Sequence, residues 1–421
     1  MSERDSMLNQ RFTWNQWSIL LVLMLVNFVN YIDRNIVFPL FPLIRSDFGL
    51  TYLQLGVLGT AFSLVHGLGT LPLGMLADRI SRKKIISYAL FFWSGATFLS
   101  GLASSFRMLV TTRALVGIGE AAYAPAATAT LTATFPKHVR ARVQGAFDMA
   151  MFVGGAMGLA LGGIIAGSVG WRPAFFIVGI PGLLLGLTVF RLRESQRVAV
   201  EKPVPIGQLL KIAPYVMILI GGWFTTFAGY AYITWGTEFV HRYKGFSLRD
   251  AGLSFGVVTV LGGAAGVLCG AALADRWRRS VPWGRIVTVP IGFLISVPFI
   301  FGALHTSNHL LVLPLFFAGT FFMTWYHGPV TATVHDLTPP QAHATAMGFY
   351  SFIVNVSAIS LAPIVVGGVA DRYGLMIGIH TAIAAQIIGA FCFLIVVAMM
   401  RKRAPAREIA PEPLREMVTA D

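Results

Sequence analysis

The chain has 421 residues, of which 56% are hydrophobic and only 12% charged, and its mean hydropathy is +0.71. That balance excludes a soluble globular domain, in which charged residues make up roughly a quarter of the chain. The formal charge of +14 does not point to nucleic acid either, because Lys and Arg gather in short segments between apolar runs instead of forming one basic face.

Residues 1–16 carry mixed charge and lead into an apolar run too long for a signal-peptide core, so the N-terminus is expected to be retained. Apolar runs of about 20 residues place membrane helices near 17–39, 52–77, 84–104, 108–134, 141–167 and 173–190, and again near 212–238, 251–274, 285–304, 309–333, 344–369 and 375–400. The segment 191–211 is polar and holds Pro203 and Pro205, the composition of a linker. The expected architecture is all-α: twelve transmembrane helices in two pseudo-symmetric six-helix bundles, residues 1–190 and 212–400, with a cytoplasmic linker at 191–211 and a cytoplasmic tail at 401–421.

The halves look like copies of one another. The turn after the second run reads Leu76-Ala77-Asp78-Arg79, and the turn after the eighth reads Leu273-Ala274-Asp275-Arg276. Lys and Arg set the orientation. The side holding both termini carries 23 of them and the opposite side 7, so both termini are expected in the cytoplasm. Of the 32 basic residues this leaves Arg34 and Arg113, both inside spans.

Intramembrane charge is costly and marks function by default. Asp33 and Arg34 sit in the first span, and Arg113 and Glu120 in the fourth. Adjacent residues on a helix point about 100° apart, and residues seven apart are separated by roughly 10 Å along the axis, so neither pair is expected to close on itself. Depth matching across the two spans instead puts Arg113 nearest Asp33, with Arg34 on an adjoining contact. Glu120 is left with the weakest charge compensation, able to exchange a proton. The other reading is a static network tying two helices together, although stability alone seldom favours buried ions.

Asp148, inside the fifth span, reads either as an inner-gate partner of Arg142 or Arg82 or as a water-facing polar residue. The repeated turns make Asp78, Arg79, Asp275 and Arg276 candidate gate residues at the cytoplasmic surface, where Asp78 could cap a neighbouring helix or pair with Arg142. Glu238 reads as an exposed boundary residue. Gly154, Gly155, Gly158, Gly162 and Gly163, with Gly367 and Gly368 after Pro363, read as packing seams. Tyr230, Trp325 and His327 would give the second half an apolar wall opposite the charges, a pairing suited to an amphiphile with one polar end. Tyr31 and Asn355 complete the candidate cavity lining. His66 and His327 show no metal spacing, and a lone histidine in a helix is more often a packing residue. Cys269 and Cys392 lie in spans with neither disulfide nor metal pattern. No phosphate loop or nucleophile motif is found, which argues against an enzyme.

The run Gly74-x-Leu76-Ala77-Asp78-Arg79-x-Ser81-Arg82-Lys83-Lys84 resembles the loop 2-3 signature of the major facilitator superfamily. The set Asn30-Tyr31-Ile32-Asp33-Arg34, Arg113-x6-Glu120-Ala121, Gly170-Trp171-Arg172, Gly328-Pro329, Asn355, Pro363 and Asp371-Arg372 resembles its spinster-like branch. The resemblance implies proton-linked movement of lysophospholipids or sphingoid lipids by alternating access. It also implies Asp33 and Glu120 as the proton-coupling acids, and Arg34 and Arg113 as their charge partners or as ligands of the substrate head. The span 1 and span 4 charges equally resemble those of organic anion symporters. Arg113-x3-Gly117-x-Gly119-x-Ala121 also resembles the span 4 motif of drug-proton antiporters. A membrane sensor or enzyme that transports nothing is the reading from another class. No cofactor is expected beyond a proton gradient. The expected partners are an amphiphilic or lipid substrate, protons and membrane lipids, the expected state a monomer, and the expected location a bacterial inner membrane.

Overall fold

Helix starts in this chain are written in its caps. Thr13 and Thr51 each accept from the backbone three residues on while Gln16 and Gln54 reach back, closing two capping boxes. Ser81, Ser105, Ser247 and Asn308 cap four further helices through their side chains. Gly49 and Gly245 stop two others at φ +63° and +69°, where a side chain would be strained.

The computed structural model describes residues 12–136, 139–192 and 205–403. These residues form α1 (Trp14–Ile36), α2 (Tyr52–Arg79), α3 (Arg82–Gly101), α4 (Phe106–Ala121, resuming as Tyr123–Thr134), α5 (Arg140–Val169) and α6 (Arg172–Arg191). The second set is α7 (Ala213–Lys244), α8 (Leu248–Ser280), α9 (Gly284–His305), α10 (His309–Met323, resuming as His327–Leu337), α11 (His343–Ile353, then Val354–Ile359 and Ser360–Tyr373) and α12 (Leu375–Arg403). Much of the predicted linker, at 193–204, and most of the predicted tail, at 404–421, lie outside the described residues.

The chain is all-helical among these residues, and ten helices are long and apolar enough to cross a membrane. The third and fourth predicted spans fall short of that measure for visible reasons. The first turn of α3 holds Arg82, Lys83 and Lys84, and α4 carries Arg107, Arg113 and Glu120; α4 also breaks at Ala122 into pieces of 16 and 12 residues. α10 breaks similarly, through a 3-10 turn at Thr324–Tyr326. α11 contains a π-helical turn at Val354–Ile359, a rare geometry that often marks functional positions. The first predicted span ends early, because a 3-10 turn at Phe38–Leu40 with Pro39 leads into a separate helix, Phe41–Phe48.

Glycine sets how closely the helices approach. On α5 a Cβ at Gly158 would lie 2.7 Å from the Ile32 carbonyl oxygen and one at Gly162 2.7 Å from that of Ile36, so α1 rests directly on the backbone of α5. The next face of α5 meets α8, where a Cβ at Gly163 would lie 2.8 Å from the Gly252 Cα. α2 meets α11 in the same way, with Gly56 against Ile364 and Gly67 against Val356. The α5–α8 and α2–α11 contacts are the seams joining the two sets of helices.

One end of these seams is tied by a carboxylate. The backbone N–H groups of Tyr52 and Leu53, the first two residues of α2, donate to Asp371 at the end of α11 over 2.7 and 2.9 Å. Beside this cap, Tyr52 packs on Trp235 at 5.8 Å between ring centres and Phe41 on Trp235 at 5.5 Å. The Arg45 guanidinium lies 4.0 Å over the Tyr52 ring. Here the sequence reading of Glu238 is corrected. α7 continues to Lys244 instead of ending near 238, so Glu238 is 2% exposed, at the base of a cavity of about 500 Å³ lined also by Arg45, His241 and Arg242.

Candidate functional site

α1 presents Asp33 and Arg34 to different neighbours, as their 100° separation requires. Asp33 turns to α4, where Arg113 Nη1 donates to its Oδ1 at 2.8 Å and Nη2 to its backbone oxygen at 3.2 Å. Its other oxygen takes the Thr97 hydroxyl of α3. Arg34 turns the other way, donating from Nε to Glu120 Oε2 at 2.7 Å. Its Nη2 meets Nε2 of His66 at 2.6 Å. The Phe62 ring stands between the two guanidinium groups, 5.4 Å from Arg34 and 5.3 Å from Arg113.

The two ion pairs are not equivalent. In the first, both side chains are closed off, at 1% and 2% exposure, and each carboxylate oxygen of Asp33 has a donor. In the second, Glu120 is fully buried while Arg34 keeps 16% exposure, and Glu120 Oε1 has no hydrogen-bond partner among the described residues. A buried carboxylate oxygen without a donor is costly and open to a proton. Arg34 is therefore the member of the cluster through which a ligand can reach it, and Glu120 is the acid with spare capacity. The depth argument had set Arg113 beside Asp33, where it lies. It also leaves Glu120 the least compensated acid, and Arg34 reaches that acid through one of its two oxygens only.

The other expected lining residues divide. Tyr31 lies under Arg34, 4.8 Å from ring centre to guanidinium. The Tyr230 hydroxyl reaches the Ser63 hydroxyl at 3.2 Å across the α2–α7 contact, and His327 meets Phe152 of α5 edge-on at 6.1 Å. Asn355 lies in the π turn and donates to the Ser351 carbonyl at 2.7 Å. Trp325 is placed otherwise. It sits against Phe321 and Phe322, and Cβ atoms at Gly270 and Gly292 would press on it, so it packs among α8, α9 and α10.

The expected gate residues are scattered at the basic ends of the helices. Asp275 pairs with Arg285 at 3.3 Å, and Arg285 reaches Asp336 at 3.5 Å, a bridge the sequence reading missed because Arg285 and Asp336 belong to neither repeated turn. Arg276, Arg79 and Arg142 are exposed, while Arg82 is buried and donates to the Ala129 carbonyl at 3.1 Å. Asp148 accepts from Gln144 one turn earlier at 2.8 Å. The Asp78 side chain lies outside the described residues.

Two members of the cluster escaped the sequence reading. Thr97 was signalled by the hydroxyl stripe Ser94, Thr97 and Ser100 in an apolar helix, all buried. His66 was read as packing, but its acceptor role depends on a cross-helix arginine that spacing within α2 cannot show.

Comparison with known proteins agrees with this fold. The family model described as Major Facilitator Superfamily matches residues 23–363. An MFS-type efflux pump of Mycolicibacterium smegmatis is 30% identical over 92% of this chain and 94% of its own. A probable galactarate/D-glucarate transporter of Bacillus subtilis is 26% identical over 94% and 95%. The spinster protein of Drosophila melanogaster is 26% identical over 85% and 62%. Among solved structures, a bacterial homolog of the human lysosomal transporter Spinster, inward-facing and unoccupied, superposes with a TM-score of 0.84 at 24% identity, covering 94% of this chain and all of that one. The fold is thus that of a membrane transporter and not of an enzyme, and the chain belongs to the major facilitator superfamily.

Proposed function

We propose that this protein is a proton-coupled secondary transporter that carries an amphiphile with an anionic head, of lysophospholipid or sphingolipid type, by alternating access. The observation that carries the reading is the shared use of Arg34: it is the exposed member of the cluster, and its partner Glu120 keeps one oxygen empty. A proton on Glu120 weakens the ion pair and frees the guanidinium for an anionic head. Loss of the proton restores the pair and releases the head. Proton and anion then bind together and move in the same direction. Asp33, with a donor on each carboxylate oxygen, and Arg113 hold α1 to α4 while this happens.

The amphiphile is favoured by what faces the charges. Tyr230 from the second set of helices meets Ser63, one turn from His66, and His327 with Phe152 of α5 adds an aromatic contact across the two sets. A second reading is a small organic anion, favoured by the relative named as a sugar-acid carrier. On the positive-inside rule the basic ends are cytoplasmic. The seam tied by Asp371 then closes the outer side, and both termini face the cytoplasm of a bacterial inner membrane.

Purified protein in vesicles, given a panel of lysophospholipids, sugar acids and cationic drugs with and without an imposed pH gradient, tests the reading. Gradient-driven uptake of a lysolipid that Glu120→Gln abolishes without loss of folded protein is the expected result. Uptake of sugar acids alone selects the second reading, and undiminished uptake by Glu120→Gln removes the proton role.

A further inference from the structure

Arg34 offers only donors, so the 2.6 Å contact with His66 Nε2 requires that nitrogen to accept, with the ring proton on Nδ1. The ring is held there from behind. It stacks on Phe62 at 5.7 Å, its carbonyl accepts from the Thr70 hydroxyl at 2.8 Å, and a Cβ at Gly117 would come within 3.1 Å of its backbone nitrogen, so α2 has little room to shift. The contact also fixes the roll of the guanidinium. With Nη2 taken by His66, Arg34 approaches Glu120 through Nε alone, and Oε1 stays without a donor. An unrestrained guanidinium facing a carboxylate prefers the bidentate arrangement that engages both oxygens.

We infer that His66 is the positioning residue of the coupling site: by holding one arm of Arg34 it keeps the guanidinium off Glu120 Oε1 and so leaves that oxygen open to the proton. This rests on the proton-coupling reading above. The groups facing His66 are few. α1 contributes Arg34 and Tyr31, with Asp33 beyond them on Arg113. α4 contributes Glu120 and, across Phe62, Arg113, while Tyr123 in its second piece is bonded to the Leu23 carbonyl. Tyr230 of α7 is engaged one turn away on Ser63, and the π turn of α11 that packs on Gly67 has no ionisable side chain. Arg34 is thus the charged group that answers to His66.

The test measures uptake of a fluorescent lysophosphatidylglycerol into vesicles at a series of pH values, for wild type, His66→Phe, His66→Leu and His66→Gln. Phe keeps the ring stack and Leu a smaller apolar bulk, and both remove the acceptor, whereas Gln retains one. Arg34 should then close on both oxygens of Glu120, so that protonation needs more acid. The pH of half-maximal uptake is expected to move toward acid by about one unit in Phe or Leu, a tenfold change in proton concentration, with the Gln variant near wild type. Two apolar variants guard against one failing to fold. An unshifted pH profile in whichever apolar variant folds, or a Gln variant shifted as far as the apolar ones, overturns the inference while leaving coupling intact. Wild-type uptake that ignores the gradient overturns the coupling reading and the inference with it.

Discussion

Neutralising one member of the Asp33–Arg113 pair should cost far more than neutralising both. Asp33→Asn keeps the shape and leaves an oxygen for Arg113, but it strands a guanidinium that is 1% exposed with no carboxylate in reach beyond Glu120, already held by Arg34. Removing one partner of a buried ion pair costs about 3–5 kcal/mol. Arg113→Gln should cost about the same, because it leaves Asp33 charged with the Thr97 hydroxyl as its remaining side-chain donor. In the double variant no buried charge is unpaired, and an amide faces an amide. Its cost should fall below that of either single variant, because the penalty of about 3–5 kcal/mol belongs to a stranded charge and neither charge remains. Thermal unfolding of purified protein in detergent, followed by tryptophan fluorescence, reads the stability, and gradient-driven uptake reads the function. A strut predicts a double variant that is both more stable than either single one and active, since Glu120 is untouched. The reasoning fails if the costs are additive. It fails differently if stability returns and driven uptake does not, for then the charge of Asp33 itself belongs to the coupling.

The seam offers two independent perturbations. Asp371→Asn replaces a carboxylate that accepts from two N–H groups at the start of α2, and loss of these charge-assisted bonds should weaken the closure at that end by about 1.5–3 kcal/mol. Spin labels at the capped end, near the start of α2 and the end of α11, should report a larger open fraction, and an unchanged distance distribution would count against the cap as a latch. Gly163→Leu should act more strongly in the same direction, because even a Cβ there lies 2.7 Å from the Leu248 carbonyl oxygen and no rotamer avoids the α8 backbone. Reactivity of a cysteine at Thr51 toward a membrane-impermeant thiol reagent should rise, and a protected cysteine would refute the α5–α8 contact as a closing surface.

How far the sequence could be read depended on the kind of information each feature carries. Hydropathy alone located the helices, because a span has to satisfy its backbone internally and cover itself with apolar side chains, and both demands are local. The glycine stripe of α5 was legible for the same reason: small residues at four-residue spacing have one use in lipid, and Gly158 and Gly162 serve it against α1. The Asp33–Arg113 contact was legible through depth, which follows from counting along two helices. What stayed hidden was azimuth, the direction in which each helix turns its faces once packed. That angle decides that Arg34 meets Glu120 and His66, that Trp325 packs among α8, α9 and α10, and that Glu238 is covered by a helix running six residues further than its apolar core implies. The cap on α2 belongs with these. Its partners are 319 residues apart, and nothing in the composition around Asp371 distinguishes a surface aspartate from one that closes a seam. A transporter switches by breaking and remaking contacts of this long-range kind, so the residues that set its equilibrium are the ones whose partners local sequence conceals, while charges inside a span stand out in the sequence itself.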